Sequence, residues 1–166
     1  LGKVTRRSVQ RLNEMSRAHL TRLPTSITEL DRVLGGGLVP GSVILLGGDP
    51  GIGKSTLALQ WVAAQVDHLR VLYVTGEESL QQLALRGERL GVDSLPVSTM
   101  AECHLESILE QIPNYDFLVI DSIQSLYSEN VSSSPGSVTQ VRESAERLTR
   151  CGKANDCSVL FIGHVT

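Results

Sequence analysis

The sequence predicts an α/β fold in which a mainly parallel central sheet carries helices on both faces. Three observations support this fold class. Short aliphatic runs recur along the chain from residue 43, helical patterns separate them, and a glycine-rich stretch follows the first run. Strands that alternate with helices are typical of parallel sheets, and such sheets bind their ligands outside the carboxyl ends of the strands. Functional residues are therefore expected at the strand ends.

Four aliphatic runs predict the strands. Each run is nearly continuous in apolar residues rather than alternating, which is typical of strands covered on both faces. The runs are VILLGG at 43–48, VLYVTG at 71–76, FLVID at 117–121 and SVLFIGHV at 158–165. Because apolar residues make up 41% of the chain and aromatic residues only 4%, we expect a core built mainly from Val, Ile and Leu.

Amphipathic patterns predict helices between these runs. A helix is expected to begin near Lys54, directly after the glycine-rich stretch. Further along, apolar residues recur at helical spacing in two segments. The first contains Leu105, Ile108, Leu109 and Ile112, with Glu102, Glu106 and Glu110 on the other side, and the second contains Val138, Val141, Ala145 and Leu148.

The charge distribution limits the class of protein. The 166 residues correspond to about one domain, and the net charge of −3 argues against a chain that attracts nucleic acid with its whole surface. The beginning differs, because the first 22 residues hold six basic side chains and one acidic side chain. We interpret residues 1–23 as a solvated basic linker, with a nucleic-acid-binding arm as the alternative.

The cysteines and the hydropathy indicate the compartment. Cys103, Cys151 and Cys157 form no CxxC pair, which predicts a reducing compartment and no zinc site. No apolar run approaches the ~20 residues that a membrane helix needs, and no signal-peptide pattern opens the sequence. We therefore expect a soluble, cytoplasmic protein that does not bind membranes.

The stretch GGDPGIGKST at 47–56 predicts a nucleotide site. It matches the pattern G-x-x-x-x-G-K-[ST] and lies between a predicted strand and a predicted helix, as the motif requires. Glycines let successive backbone N–H groups surround phosphate oxygens, and the helix adds the positive end of its dipole. The expected nucleotide-binding residues are Gly48, Asp49, Pro50, Gly51, Ile52, Gly53, Lys54, Ser55 and Thr56.

The chemistry of the motif assigns individual roles. Lys54 is expected to reach the β- and γ-phosphates, Ser55 to give its hydroxyl to Mg²⁺, and Thr56 to contact the α-phosphate. A carboxylate should complete the magnesium site, and Asp121 ends a buried strand in the right position. The alternative for Asp121 is a helix cap.

Hydrolysis requires a group that activates water, and two adjacent carboxylates follow the second predicted strand. Neighbouring side chains at a strand end point in different directions, so only one of them can face the γ-phosphate. We predict that Glu77 is the catalytic base and that Glu78 is a helper or lies in a subunit interface, with a helix cap as its alternative. His164 ends the last strand and is either structural or a γ-phosphate sensor.

Several segments, spread from residue 29 to residue 166, form a recognisable combination. Neither the base-reading motif of guanine-specific enzymes nor the arginine-bearing lid of small-molecule kinases is found in the sequence. The segments are ELDRVLGGGLVPGSVILLGGDPGIGKSTLALQ (29–60), VLYVTGEESLQQLALRGERLG (71–91), VIDSIQSLYS (119–128), SSPGSVTQVRESAERLTR (133–150) and GHVT (163–166). GEES, SSPGS and GHVT together are far more specific than the phosphate loop alone. Together the segments resemble the bacterial RadA family, also called Sms, of the RecA-like ATPases.

The resemblance implies a RecA-like P-loop NTPase core over residues 24–166, with ATP and Mg²⁺ as cofactors. It implies a hexameric, ATP-driven motor on single-stranded DNA that acts alongside the RecA recombinase. Its implied task is branch migration of intermediates in DNA repair and homologous recombination. The alternative function is a nucleotide-switched ring or assembly module of the KaiC type.

The same resemblance implies residue roles. The loop from Gly48 to Ser55 corresponds to the ATP loop, Glu77 to the catalytic glutamate and Asp121 to the magnesium aspartate. His164 corresponds to the residue that couples the γ-phosphate to DNA-contacting loops, and residues 128–140 to the first central-channel loop. RadA proteins also carry a four-cysteine zinc finger and a Lon-like domain, which this sequence does not contain. We therefore expect a fragment of the family's architecture with weak ATPase activity on its own.

Overall fold

A computed structural model describes residue 9, residues 11–14 and residues 21–165. Its strands are β1 (Val43–Gly48), β2 (Val71–Thr75), β3 (Ser98–Ala101), β4 (Phe117–Asp121) and β5 (Ser158–His164). They form one sheet in the order β1-β5-β4-β2-β3, and every neighbouring pair is parallel. The predicted parallel α/β fold is therefore confirmed. Most of the proposed linker at 1–23 lies outside the described residues.

Helices connect the strands on both faces of the sheet. They are α1 (Thr28–Val33), α2 (Lys54–Gln65), α3 (Leu80–Leu90), α4 (Leu105–Leu109) and α5 (Val138–Ala154). Short 3-10 turns lie at Leu12–Glu14, Ile112–Asn114 and Ile123–Ser125. Within the described ranges, no helix combines the length and the apolar character needed to cross a membrane.

Two apolar clusters hold the helices to the sheet. On one face, Leu148 of α5 and Ile108 of α4 pack against side chains of β4 such as Leu118. On the other face, Val62 of α2 and Leu83 of α3 belong to the cluster that includes Val119 of β4 and Tyr73 of β2. Because strand side chains alternate between the faces, a continuous apolar strand can serve both clusters.

The burial of β1 differs from the prediction. Strands β2 and β4 are buried at every position, and β5 is buried at all but its last residue, whereas Val43 is 36% and Leu45 68% exposed. Ile44 and Leu46 of this edge strand pack against one apolar cluster, whereas Val43 and Leu45 point to the other face and belong to neither cluster. The aliphatic pattern predicted the strand correctly, but the prediction that both of its faces are buried was wrong.

Two local features also differ from the sequence analysis. The helix predicted over residues 105–112 ends as an α-helix at Leu109, and a 3-10 turn with Pro113 follows. Pro113 has no backbone N–H to donate to the carbonyl group of Leu109 four residues earlier, which accounts for the early end. Strand β3 was not predicted, because its sequence STMA forms no aliphatic run and most of its side chains are exposed at the other edge of the sheet.

Candidate nucleotide-binding site

The carboxyl ends of four parallel strands meet at one edge of the sheet. Gly48 of β1 pairs in register with His164 of β5, and Thr75 of β2 pairs with Asp121 of β4. A cavity of about 490 Å³ opens at this edge, within the range of small-molecule sites. It is lined by Pro50, Gly51, Gly53, Lys54, Ser55, Thr56, Glu77, Glu78, Arg86, Arg89, Leu90 and His164. Sequence motifs that lie more than 100 residues apart are thus brought together.

The phosphate loop has a backbone that depends on glycine. Gly51 and Gly53 have φ angles of 81° and 97°, a region that other residues rarely adopt. A Cβ atom at Gly48 would come within 2.4 Å of the Ile52 side chain. The loop therefore curves tightly between β1 and α2, as the motif predicted.

The Lys54 side chain crosses this loop. It is only 6% exposed, and its ammonium group donates hydrogen bonds to the carbonyl oxygens of Gly48 at 2.7 Å and Asp49 at 2.6 Å. An ammonium group has three donors. Two of them hold the loop, and the side chain lines the cavity, so its positive charge lies where phosphate groups would be placed.

The first turn of α2 fits an anion. Lys54, Ser55 and Thr56 form this turn, and Gly53 at the N-cap has no side chain with which to satisfy the free N–H groups. Free N–H groups and the positive end of the helix dipole together bind phosphate well. All four residues line the cavity. The loop and the helix therefore fit the phosphates of a nucleotide.

The donor set also fits Mg²⁺. Ser55 lines the cavity, and Asp121 ends β4 at the same sheet edge, where it is 9% exposed and not part of the cavity wall. The described residues contain no cluster of three or more His, Cys, Asp or Glu side chains that would hold a metal alone. Magnesium typically takes one or two protein ligands, phosphate oxygens and water. One hydroxyl and one carboxylate meet that requirement.

A buried tyrosine contacts this aspartate. The Tyr73 hydroxyl donates a hydrogen bond of 2.5 Å to Oδ2 of Asp121. Burial, together with the nearby Asp121 charge, raises the pKa of Tyr73 far above its ordinary value, so the phenol remains protonated. The sequence analysis treated Tyr73 only as part of a strand. The sequence did contain a signal, because a tyrosine in a buried strand needs a hydrogen-bond partner for its hydroxyl group.

The two candidate catalytic carboxylates have different surroundings. Oε1 of Glu77 accepts a hydrogen bond from the Ser122 hydroxyl and lies 3.3 Å from Nε2 of His164. Glu78 instead forms an ion pair with Arg86 of α3. Thr75 fixes the backbone of Glu78, because its hydroxyl bonds both the N–H and the carbonyl group at 3.0 Å. The adjacent side chains thus diverge, as expected for a strand end.

Two arginines of α3 were missed by the sequence analysis. Arg86 and Arg89 line the cavity together with Leu90. They belong to no short motif, and their place depends on the packing of α3 beside α2. Helix α3 begins directly after the carboxylate pair, where Ser79 and Gln82 form a capping box. The cap fixes the direction in which Arg86 approaches Glu78.

The segment predicted as a channel loop, residues 128–140, is a loop only as far as Ser137, because α5 begins at Val138. The buried Gln140 side chain holds the base of this loop. Its amide oxygen accepts from the Ser128 N–H at 2.9 Å, and its amide nitrogen donates to the carbonyl groups of Ser128, Val131 and Ser133. Gln140, which was predicted to be part of the loop, therefore lies in α5 and stabilises the loop from outside.

Glu106 of α4 provides a second brace. Its Oε1 accepts from the Ser128 hydroxyl at 2.6 Å, Asn130 Nδ2 at 3.1 Å and Arg147 at 2.7 Å. Burial alone would raise the pKa of Glu106, but these hydrogen bonds lower it to about 2. The carboxylate is therefore ionised at neutral pH and joins α4, α5 and the loop.

Comparison with known proteins agrees with this geometry. A family model described as an AAA domain matches residues 7–166. DNA repair protein RadA of Escherichia coli is 49% identical over 162 residues, which is 95% of this chain and 35% of the relative. The RadA protein of Listeria monocytogenes is 51% identical over 149 residues, or 87% of this chain and 32% of the relative.

The chain spans about a third of the length of these curated relatives. The matched region includes the phosphate loop, the carboxylate pair and the braced loop. The described fold, a parallel sheet with helices on both sides, agrees with the matched domain. The chain therefore belongs to the AAA domain family and is RadA-like in sequence over nearly its whole length.

Proposed function

We propose that the chain is the ATPase core of a motor that acts on single-stranded DNA in DNA repair and homologous recombination. One observation carries the proposal. Lys54 of the phosphate loop, Glu77 and His164 line the same cavity, and their sequence contexts are those of proteins named for DNA repair. A nucleotide site alone would fit many proteins, whereas this set together with the braced loop fits a motor.

The proposed binding step uses the phosphate loop. The N–H groups at the start of α2 and the Lys54 ammonium group hold the β- and γ-phosphates of ATP. Ser55 and Asp121 are the proposed ligands of Mg²⁺, and Thr56 contacts the α-phosphate. When bound, Mg²⁺ offsets negative charge on the phosphate oxygens. The glycines, with their positive φ angles, give the loop the curved geometry on which this binding depends.

The proposed chemical step uses Glu77. Its side chain lines the cavity. Ser122 and His164 both contact Oε1 of its carboxylate and so orient it. A general base must be oriented toward the water from which it takes a proton. Glu78 is the weaker candidate, because its carboxylate is neutralised by Arg86. We propose Glu77 as the base and a supporting role for Glu78.

The proposed coupling to DNA starts at His164. Its ring lies 3.3 Å from Glu77, and its carbonyl oxygen accepts a hydrogen bond of 3.1 Å from Gln124 Nε2. Gln124 belongs to the 3-10 turn that leads from β4 toward the loop at 128–137. A displacement of His164 on hydrolysis would thus be transmitted to that turn. This route supports the proposal that the loop contacts DNA.

We further propose that the complete protein assembles as a hexameric ring with the loops at 128–137 facing its centre, and that it works with the RecA recombinase. The decisive experiment measures steady-state ATP turnover of the full-length protein with and without single-stranded DNA. Stimulation by DNA that is lost in Lys54→Ala is the expected result. ATP hydrolysis that is indifferent to DNA, in a ring with no DNA affinity, would instead support the nucleotide-switched module.

A further inference from the structure

Tyr73 belongs to the core and is fully buried, with 0% of its surface exposed. It sits in the middle of β2, within the cluster that packs α2 and α3 against the sheet. A phenylalanine would fill this space equally well, because the ring provides the packing. The hydroxyl is therefore the feature that needs an explanation, since a buried hydroxyl without a partner is costly.

The register of β2 and β4 gives the hydroxyl its partner. Tyr73 pairs with Val119, and Thr75 pairs with Asp121 two residues further along. Residues two apart on a strand lie on the same face, so the long phenol side chain reaches toward the carboxyl end of β4. There it donates to Oδ2 of Asp121 at 2.5 Å. The hydrogen bond thus points from the core to the site.

The two oxygens of Asp121 are not equivalent. Oδ2 accepts from Tyr73, whereas Oδ1 has no protein donor among the residues that the structure describes. A hydrogen bond at one oxygen restricts the rotation of a carboxylate and leaves the other oxygen available. Outer hydrogen bonds of this kind orient metal ligands, and their loss typically lowers metal affinity about 10–100-fold.

We propose that Tyr73 is the positioning residue that orients Asp121 for the divalent cation of the bound nucleotide. The inference rests on the proposed function, because it assumes a magnesium nucleotide in the cavity. Tyr73 acts through Asp121 and touches neither the nucleotide nor the cation. Its hydroxyl holds Oδ2, so that Oδ1 is directed to the cation or to one of its water ligands.

The test compares full-length wild type with Tyr73→Phe. The amount of free Mn²⁺, used in place of Mg²⁺, is measured by electron paramagnetic resonance in the presence of saturating ADP. We expect the Mn²⁺ concentration at half-saturation to rise about tenfold in Tyr73→Phe. The affinity for ADP in EDTA should not change, because the phosphate loop does not contact Tyr73. Phenylalanine keeps the ring, so the folded core is retained, which a thermal melt verifies.

Tyr115→Phe is the matched control. Tyr115 precedes the opposite end of β4, packs on the other face of the sheet, and should keep the wild-type Mn²⁺ dependence. The inference would be overturned if the Mn²⁺ concentration at half-saturation were the same in Tyr73→Phe as in wild type. An equal rise in Tyr115→Phe, or a matching loss of ADP affinity in EDTA, would also overturn it, since each would indicate a general structural effect. Wild type that fails to bind ADP at all would overturn the proposed function itself.

Discussion

The Ser122 hydroxyl donates a hydrogen bond to Oε1 of Glu77 across the carboxyl ends of β4 and β2. The same oxygen lies 3.3 Å from Nε2 of His164. Both contacts reach one oxygen of the carboxylate, and Glu77 also lines the nucleotide cavity. These contacts orient the carboxylate and distinguish Glu77 from Glu78, which is paired with Arg86, and they support the proposal that Glu77 is the base.

Glu77→Gln in the complete protein should bind ATP and fail to cleave it. The substitution keeps the size of the side chain and the contact to Ser122 and removes the group that accepts a proton. We expect kcat to fall at least 100-fold, the scale of a lost general base, while the affinity for a non-hydrolysable ATP analogue changes less than threefold. Single-turnover hydrolysis and equilibrium binding measure the two quantities.

Glu78→Gln is the control for this prediction. It breaks the ion pair with Arg86 and leaves the contacts of Glu77 intact, so hydrolysis should be reduced much less. If Glu78→Gln abolished turnover and Glu77→Gln did not, the two roles would have to be exchanged.

Lys54→Ala should lose productive nucleotide binding. The ammonium group holds the loop through Gly48 and Asp49 and supplies its only cation, so removal affects both the loop and the phosphates. We expect ATP hydrolysis to fall to background and ATP affinity to drop at least tenfold, measured by calorimetry. Lys153→Ala, on exposed α5 surface, should behave as wild type. Undiminished hydrolysis in Lys54→Ala would contradict the assignment of the site.

The sequence predicted the parts of the fold that depend on local patterns. Asp121 and His164 could be placed at strand ends because each terminates an aliphatic run. The phosphate loop was recognised because its spacing is fixed by backbone geometry at Gly51 and Gly53. Strand β3 was missed because an exposed edge strand needs no aliphatic run.

The contacts that support the site could not be predicted in the same way. Tyr73 and Asp121 are 48 residues apart, and Gln140 reaches back 12 residues to Ser128. Such contacts follow from the register between strands and from the way α5 packs, and a single sequence shows neither. The sequence placed Gln140 in the loop as a polar residue, whereas its side chain is buried and bonds the base of the loop.

Glu106→Gln should destabilise the protein more at neutral pH than at acidic pH. The pKa of Glu106 is lowered from its ordinary value of 4.5 to about 2, so the ionised form stabilises the folded state. This stabilisation is fully present above about pH 4.5 and is lost as the pH falls toward 2. We expect a loss of about 2 kcal/mol in the free energy of unfolding at pH 7, measured by urea denaturation.

At pH 3.5, we expect a smaller difference in the free energy of unfolding between wild type and Glu106→Gln than at pH 7. The control is Glu110→Gln, at an exposed position just after the same helix. It should leave the free energy of unfolding unchanged at both pH values. A loss of the same size at pH 7 and pH 3.5 would show that the ionised carboxylate is not what braces the loop.

Gln140→Ala should release the base of the loop at 128–137. The substitution leaves the N–H of Ser128 and the carbonyl groups of Val131 and Ser133 without these partners, whereas the Ser128 carbonyl still accepts from the Val131 N–H. Unpaired buried polar groups cost about 1–3 kcal/mol, so we expect a comparable loss of stability and faster hydrogen exchange at the Ser128 amide. Thr139→Ala, the exposed neighbour, should leave this amide protected. Equal protection in wild type and Gln140→Ala would mean that other contacts hold the loop.

The last prediction concerns DNA. The tip of the loop, SSSPGS at 132–137, carries no charge, and its backbone and hydroxyl groups release few counterions when they contact phosphates. The exposed Arg142 in the first turns of α5 adds one cation beside each loop. A single subunit should therefore bind single-stranded DNA weakly, and an assembled ring should bind well because the contact is repeated at high effective concentration.

Arg142→Ala in the full-length protein tests this account. For single strands, each phosphate contact contributes a slope of about −0.7 to the logarithm of affinity against the logarithm of salt concentration. The variant ring should therefore show a shallower slope, by about 0.7 for every subunit that contacts DNA. Arg150→Ala is the control, because Arg150 lies two turns further along α5 near Glu146. If the salt dependence of DNA affinity had the same slope for wild type and Arg142→Ala, the DNA would not contact Arg142. Tight, salt-resistant binding by an isolated subunit would contradict the need for a ring, because one uncharged loop and one arginine release too few counterions to produce it.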